Sequence, residues 1–121
     1  MAPLTAFDKL EMGTVAMYGV QCTLLPELFC KMNLKDEPTE QVIAMTNFMG
    51  FIIFSRVAAI WEALKRAEPG KKAGIYRAAG IAWAGCMVAN FIRRKIFKPE
   101  MFAFNMALQA VMTGALALKA K

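Results

Sequence analysis

The chain contains no histidine. That absence removes the usual general base, the commonest metal ligand and the side chain that titrates near neutral pH. It has three cysteines, Cys22, Cys30 and Cys86, and no C-x-x-C pair. A zinc site and a disulfide framework are therefore both disfavoured, and the three read as small apolar packing residues. Charge is scarce at 20% of residues, and acidic residues number only 9 against 15 basic ones. There is no Ser-His-Asp set, no Cys-His pair, no glycine-rich phosphate loop and no paired carboxylates, so nothing here assembles an enzyme.

What is present is apolar surface. Hydrophobic residues make up 58% of the 121, and the mean hydropathy is +0.40. Soluble domains usually hold about 45–50%. The length allows one domain, residues 1–121. Charge-free stretches recur: Met12 to Pro26, Gln41 to Ser55, then Val57 to Trp61 beyond Arg56. Ala73 to Ile92 carries only Arg77, and Met101 to Leu118 carries no charge over eighteen residues. A bilayer core needs about 20 apolar residues per helix. The runs lack apolar/polar alternation and are rich in Ala, Leu and Met, so they read as helices.

Turn chemistry separates the runs. Met32 to Glu40 is polar and contains Pro38 and Thr39, either of which can open a helix. Glu68-Pro69-Gly70 is a stop, and Pro99 suits a first helical position. The expected fold is all-α, with four transmembrane helices in an antiparallel bundle at about 10–30, 39–66, 72–96 and 99–119, and no soluble domain. Pro26 should kink the first of these or start a short new helix, with Glu27 in its first turn. A soluble four-helix bundle is the rival, but it needs a wide polar stripe on each helix. The last run offers only Asn105, Gln109 and Thr113, on one narrow face.

Small residues repeat at i, i+4 spacing in the third helix (Gly74, Ala78, Ala82, Cys86; Gly80–Ala84; Gly85–Ala89) and the fourth (Ala103–Ala107; Ala110–Gly114). Such rows let membrane helices approach closely, and the third helix is expected to be the most buried. Trp61, Tyr76, Phe97, Phe102 and Phe29 sit at run ends, as an interfacial aromatic belt requires. Trp83 lies too deep for that belt and reads as a packing residue or a cofactor contact. The basic clusters flank apolar runs and do not interleave with aromatics, which suits lipid headgroups and not nucleic acid. Lys71, Lys72, Arg93 and Arg94 are the candidate headgroup or partner contacts. With four crossings, the side holding both termini carries eight basic residues and the other six, a narrow preference for the termini on the positive side. Met1 to Lys9 lacks the basic opening and apolar stretch of a signal peptide, and has no Arg as a mitochondrial transit peptide would.

Arg56 is the sharpest polar signal. It sits inside the second run, about eight residues or roughly 12 Å from the end of that helix. A cation at that depth costs at least about 2.5 kcal/mol unless partnered or wet. Antiparallel registers place Gln109 and Thr113 of the fourth helix and Tyr18 and Gln21 of the first near its level, and a buried cluster of Arg56, Gln109, Asn105 and Tyr18 is expected. One reading makes it a site for an anion, a quinone or a lipid headgroup. The other makes it a structural network, or a contact with a neighbouring subunit. Asn105, Gln109 and Thr113 stack along one face, fit for interhelical hydrogen bonds of about 0.6–2 kcal/mol each. Their amide oxygens could instead ligate the magnesium of a pigment, with Asn105, Gln109 and Trp83 as the pigment contacts. Glu62 has Lys65 and Arg66 at i+3 and i+4, ordinary helix pairs.

The segment Tyr18-Gly19-Val20-Gln21-Cys22-Thr23-Leu24-Leu25-Pro26-Glu27-Leu28-Phe29, followed by Asn47-Phe48-Met49-Gly50, Arg56 and Ala58-Ala59, resembles the DoxX-like group of small four-helix membrane proteins. The resemblance covers about half the chain. It implies a four-helix membrane fold and, for some members, a link to quinone-dependent oxidoreductases. The Ala/Gly rows and lysine clusters are not part of that pattern.

Two functions follow as expectations. The first is an accessory, non-catalytic subunit of a large energy-transducing complex, with a photosystem or antenna assembly favoured slightly over a respiratory one. It would contact other membrane subunits and the bilayer, hold lipid, chlorophyll or carotenoid without covalent attachment, and reside in the thylakoid or inner mitochondrial membrane. The alternative is a stand-alone DoxX-like protein, a quinone-linked redox partner or small carrier with Arg56 at its ligand site.

Overall fold

The computed structural model describes residues 4–68 and 70–121. Residues 1–3 of the N-terminal stretch and residue 69 of the Glu68-Pro69-Gly70 stop lie outside the described residues. The architecture is all-helical, with no strand among the described residues: α1 (Ala6–Leu24), α2 (Pro26–Asn33), α3 (Glu40–Arg66), α4 (Ala73–Ile92) and α5 (Pro99–Lys119), plus a 3-10 turn at Arg94–Ile96.

Each boundary has a local cause. Thr5 caps α1 in a reciprocal box with Asp8: its hydroxyl accepts the Asp8 N–H at 3.1 Å, and its own N–H donates to the Asp8 carboxylate at 2.9 Å. α1 stops at Leu24 because Pro26 has no N–H to continue the ladder, and Pro26 then takes the first position of α2. Thr39 caps α3 by accepting the Val42 N–H, and Lys65 and Arg66 occupy its last turn, where cations suit the dipole. Gly70 adopts a left-handed φ of 81° just ahead of α4. Pro99 opens α5.

Two expected helix bounds are corrected. The first expected helix, 10–30, divides at Pro26, where a short new helix was one expected outcome, but α1 starts earlier than expected, at Ala6, taking in Asp8, Lys9 and Glu11. Among the described residues, three helices are long and apolar enough to cross a membrane: α3, α4 and α5. The third expected helix ends at Ile92 and tightens into the 3-10 turn, whereas the second and fourth match their expected bounds to within a residue.

α1 packs most closely on α3, and α4 on α5. The α1/α3 pair runs antiparallel, since Gly19 faces Ile53 and Phe54 while Gly50 faces Cys22 and Thr23. A Cβ at Gly50 would come within 2.7 Å of the Thr23 backbone nitrogen, so this glycine sets how near the two helices lie. The loops at the far end are tied together: Lys35 N–H donates to the Ile96 carbonyl at 2.9 Å, and Lys98 N–H to the Asn33 carbonyl at 2.8 Å.

The small-residue rows do not do what the sequence led us to expect. A Cβ added at Gly74, Gly85 or Gly114 would meet nothing within 4 Å. Nor is α4 the most buried helix: it buries Tyr76, Ala79 and Trp83, while α1 buries Asp8, Glu11, Met12, Val15, Gly19 and Cys22. The apolar core joins Met12, Val15, Leu64, Tyr76, Ala79, Trp83, Met112 and Leu116. Outside it, Met45, Phe48, Ile81, Phe104, Val111 and Leu118 are each 60% or more exposed. Water would not tolerate so much apolar surface on a monomer.

Candidate functional site: a polar ladder in the helix interior

Polar side chains are sealed inside this molecule alongside the apolar core. Asp8, Glu11, Asn33, Lys72, Asn105 and Gln109 are all buried. Asp8 and Glu11 stand three residues apart on one face of α1, one turn of helix. Their carboxylates point between the two helix pairs.

At one end, the Asp8 carboxylate accepts from Lys72 Nζ at 2.9 Å and from the Tyr76 hydroxyl at 2.5 Å, in addition to the Thr5 N–H. The Asp8 side chain is fully buried, and that of Lys72 is 10% exposed. Asp8 precedes the charge-free part of α1. Burial pushes its pKa up, but the Tyr76 hydroxyl, the Thr5 N–H and the Lys72 ammonium outweigh burial and hold it below the ordinary carboxylate value.

Further along, Glu11 Oε1 accepts from Arg56 Nη2 at 3.3 Å and from Trp83 Nε1 at 3.0 Å, joining α1, α3 and α4. Lys72 and Arg56 thus balance the two carboxylates, leaving these two interior ion pairs neutral. Toward the opposite end, the Tyr18 hydroxyl donates to Asn105 Oδ1 at 2.9 Å. Asn105 Nδ2 donates to Asn33 Oδ1 at 3.0 Å, and Asn33 Nδ2 to the Phe29 carbonyl at 2.8 Å. Every link in that run has its donor and acceptor matched.

The expected cluster of Arg56, Gln109, Asn105 and Tyr18 is therefore split. Tyr18 and Asn105 meet, but Arg56 turns to Glu11. A full charge on α1 is a stronger partner than an amide, and the long guanidinium reaches it. Gln109 is buried, yet its Oε1 has no hydrogen-bond partner among the described residues, and the same holds for Thr23 Oγ1. Thr113 donates to the Gln109 carbonyl of its own helix at 2.7 Å and makes no interhelical bond. Of the residues proposed for a pigment, Asn105 has both ends of its amide engaged within the chain, and Trp83 is bound to Glu11. Only the Gln109 oxygen is open.

Lys72 is corrected from a headgroup contact to a buried ion-pair member. Lys71, Arg93 and Arg94 are exposed, and Arg94 lies over the Phe91 ring at 4.5 Å. Tyr76 is not in an interfacial belt but buried against Asp8, while Trp61 is 39% exposed. Cys22 and Cys30 are buried as expected of packing residues, whereas Cys86 is exposed. Glu62 pairs with Arg66 and Lys65 as its spacing dictates.

The sequence reading missed Asp8 and Glu11. Their signal was available: two acids on one face of a helix whose later positions on that face, Val15, Gly19 and Cys22, are all apolar or small. No protein-family model, no curated protein and no solved structure matches this chain significantly.

Proposed function

We propose that this chain is an integral membrane protein acting as a non-catalytic, accessory subunit of a larger membrane assembly. α3, α4 and α5 cross the bilayer, and the apolar part of α1, beginning at Met12 and continued by α2, makes the fourth crossing of an antiparallel bundle. One observation carries the reading. Asp8, Lys72, Glu11, Arg56, Tyr18 and Asn105 pair with partners in the interior, while the long helices present exposed apolar side chains on their outer faces together with glycines, Gly74, Gly85 and Gly114, that no described helix of this chain packs against. Small residues on a lipid-facing surface are where a helix of another chain packs. An open apolar groove of about 630 Å3 along α3, lined by Val42, Met45, Phe48, Met49 and Ile52, adds a second unfilled face. The proposed host is an energy-transducing complex of a thylakoid or inner mitochondrial membrane. The interior network holds the subunit rigid so that these faces keep their shape.

The test is mild detergent extraction followed by a native gel. Co-migration with a complex much larger than the chain supports the reading, and the co-migrating polypeptides identify the host as photosynthetic or respiratory. Migration as a small oligomer overturns it.

The resemblance to DoxX-like proteins supplies the second reading, a quinone-linked redox partner or carrier with Arg56 at the ligand site. The unpartnered Gln109 oxygen in the interior favours it for the reduced form of such a ligand, since a quinol hydroxyl can donate to it and a quinone carbonyl cannot. The Glu11–Arg56 pair opposes it, because a ligand would have to displace Glu11. Under this reading Arg56→Ala abolishes quinone binding while the protein stays folded.

A further inference from the structure

A groove of about 370 Å3 runs along the outer seam of α4 and α5, lined by Tyr76, Arg77, Gly80, Ile81 and Ala84 on one side and Thr113, Ala117, Ala120 and Lys121 on the other. Its length is apolar and its floor is made of small side chains. Its mouth is different. Arg77 stands about one turn into α4, and Lys121 follows the end of α5, so two cations flank the same opening. Both are exposed, and among the described residues neither side chain has an ion-pair or hydrogen-bond partner. Of the basic residues nearby, Lys72 holds Asp8 and Lys119 lies over the Phe7 ring at 5.5 Å.

We propose that this groove binds one anionic phospholipid, its phosphate held between Arg77 and Lys121 and one acyl chain lying over Gly80, Ala84 and Ala117. The inference rests on the membrane reading above. Its argument is complementarity of two kinds in one place. A diacyl phospholipid is an anion joined to a hydrocarbon chain, and the site is a pair of unpaired cations joined to a hydrocarbon slot. Placing cations at the end of apolar helices puts them at headgroup depth, where each basic residue favours an anionic lipid by about fivefold. A side chain larger than Gly or Ala along the floor would close the slot. A Cβ at Gly80 would meet Leu116 of α5 at 3.4 Å, so this glycine lies against α5 as well as lining the slot.

The test is native mass spectrometry of the detergent-solubilised full chain, titrated with phosphatidylglycerol or with phosphatidylcholine of the same acyl chains. The wild type should retain one phosphatidylglycerol at least about fivefold more readily than phosphatidylcholine. Arg77→Gln with Lys121→Gln should bring the two lipids to parity, and Arg77→Lys should keep the preference. Ala117→Leu, at an exposed position that leaves the core untouched, should weaken retention of both lipids. Arg93→Gln with Arg94→Gln, at the opposite end, should change nothing. Equal retention of the two lipids by the wild type overturns the proposal, as does a preference that survives the double variant. Displacement of the lipid by millimolar inorganic phosphate also overturns it, since the site would then take the free anion. A chain that stays folded and monomeric without detergent defeats the membrane reading itself, whereas a detergent-requiring chain with no lipid preference defeats this inference alone.

Discussion

Arg56 of α3 reaches across to Glu11 of α1, Nη2 to Oε1 at 3.3 Å, and the pair is sealed on the third side by the Trp83 indole. The Glu11 side chain is 5% exposed and that of Arg56 27%. Neither charge could remain in this interior alone. Their pairing locks the rotation of α1 against α3, and Trp83 extends the lock to α4.

Removing one member should therefore hurt more than removing both. Glu11→Ala is expected to lower stability by about 3 kcal/mol, because it strands the guanidinium and the indole N–H. Glu11→Gln with Arg56→Met should recover most of that loss, since the amide oxygen still accepts from Trp83. Thermal unfolding in detergent, compared across single and double variants, measures the coupling.

The Asp8 cluster makes stability depend on acid. Its pKa is lower folded than unfolded, so its contribution is complete above the unfolded carboxylate value of about 3.9. The contribution disappears as pH falls below that value and through the folded one. The difference in melting temperature between wild type and Asp8→Asn should accordingly be constant from pH 7 to about 5 and shrink below about pH 4. A difference that grows on acidification contradicts the assignment.

Glycine substitutions separate used close approaches from unused ones. Gly50→Ala must push α1 off α3, since the new methyl meets the Thr23 backbone, and should destabilise by about 1–3 kcal/mol. Gly85→Ala meets nothing and should stabilise the isolated chain by up to about 1 kcal/mol through helix propensity. Under the proposal that a helix of another chain packs on this face, the second variant should behave oppositely there and weaken association. Melting temperature of the free chain, set against its recovery in the complex, reads both effects.

Two amides on one face of α5 should respond differently. Asn105→Leu deprives Tyr18 and Asn33 of their partner and should cost about 1–2 kcal/mol. Gln109→Leu removes a buried oxygen that has no partner and should be neutral or stabilising in the empty protein. If Gln109→Leu is as damaging as Asn105→Leu, the Gln109 amide has a partner that these helices do not supply.

Much of this organisation is local, and so it was readable residue by residue. The apolar runs that became α3, α4 and α5 are properties of contiguous sequence, as are the caps at Thr39 and Pro99 and the break at Pro26. The inward ladder was only half readable. Tyr18 and Asn105 stand out because polar groups in apolar runs need partners. But Asp8 and Glu11 lie ahead of the charge-free stretch and resemble an ordinary solvated helix start.

What the linear chain determined by itself is composition and periodicity: helices, the bounds of α3 and α5, and an excess of apolar side chains. The tertiary structure alone decided who meets whom. Glu11 and Arg56 are 45 residues apart, and Lys72 and Asp8 are 64 apart. Their meeting depends on the rotation and register of whole helices, which pack through many weak contacts summed over their length. The same rotations turned Gly74, Gly85 and Gly114 outward and brought Arg77 and Lys121 to one opening. A spacing of four places residues on one face of a helix, but only packing determines whether that face looks in or out.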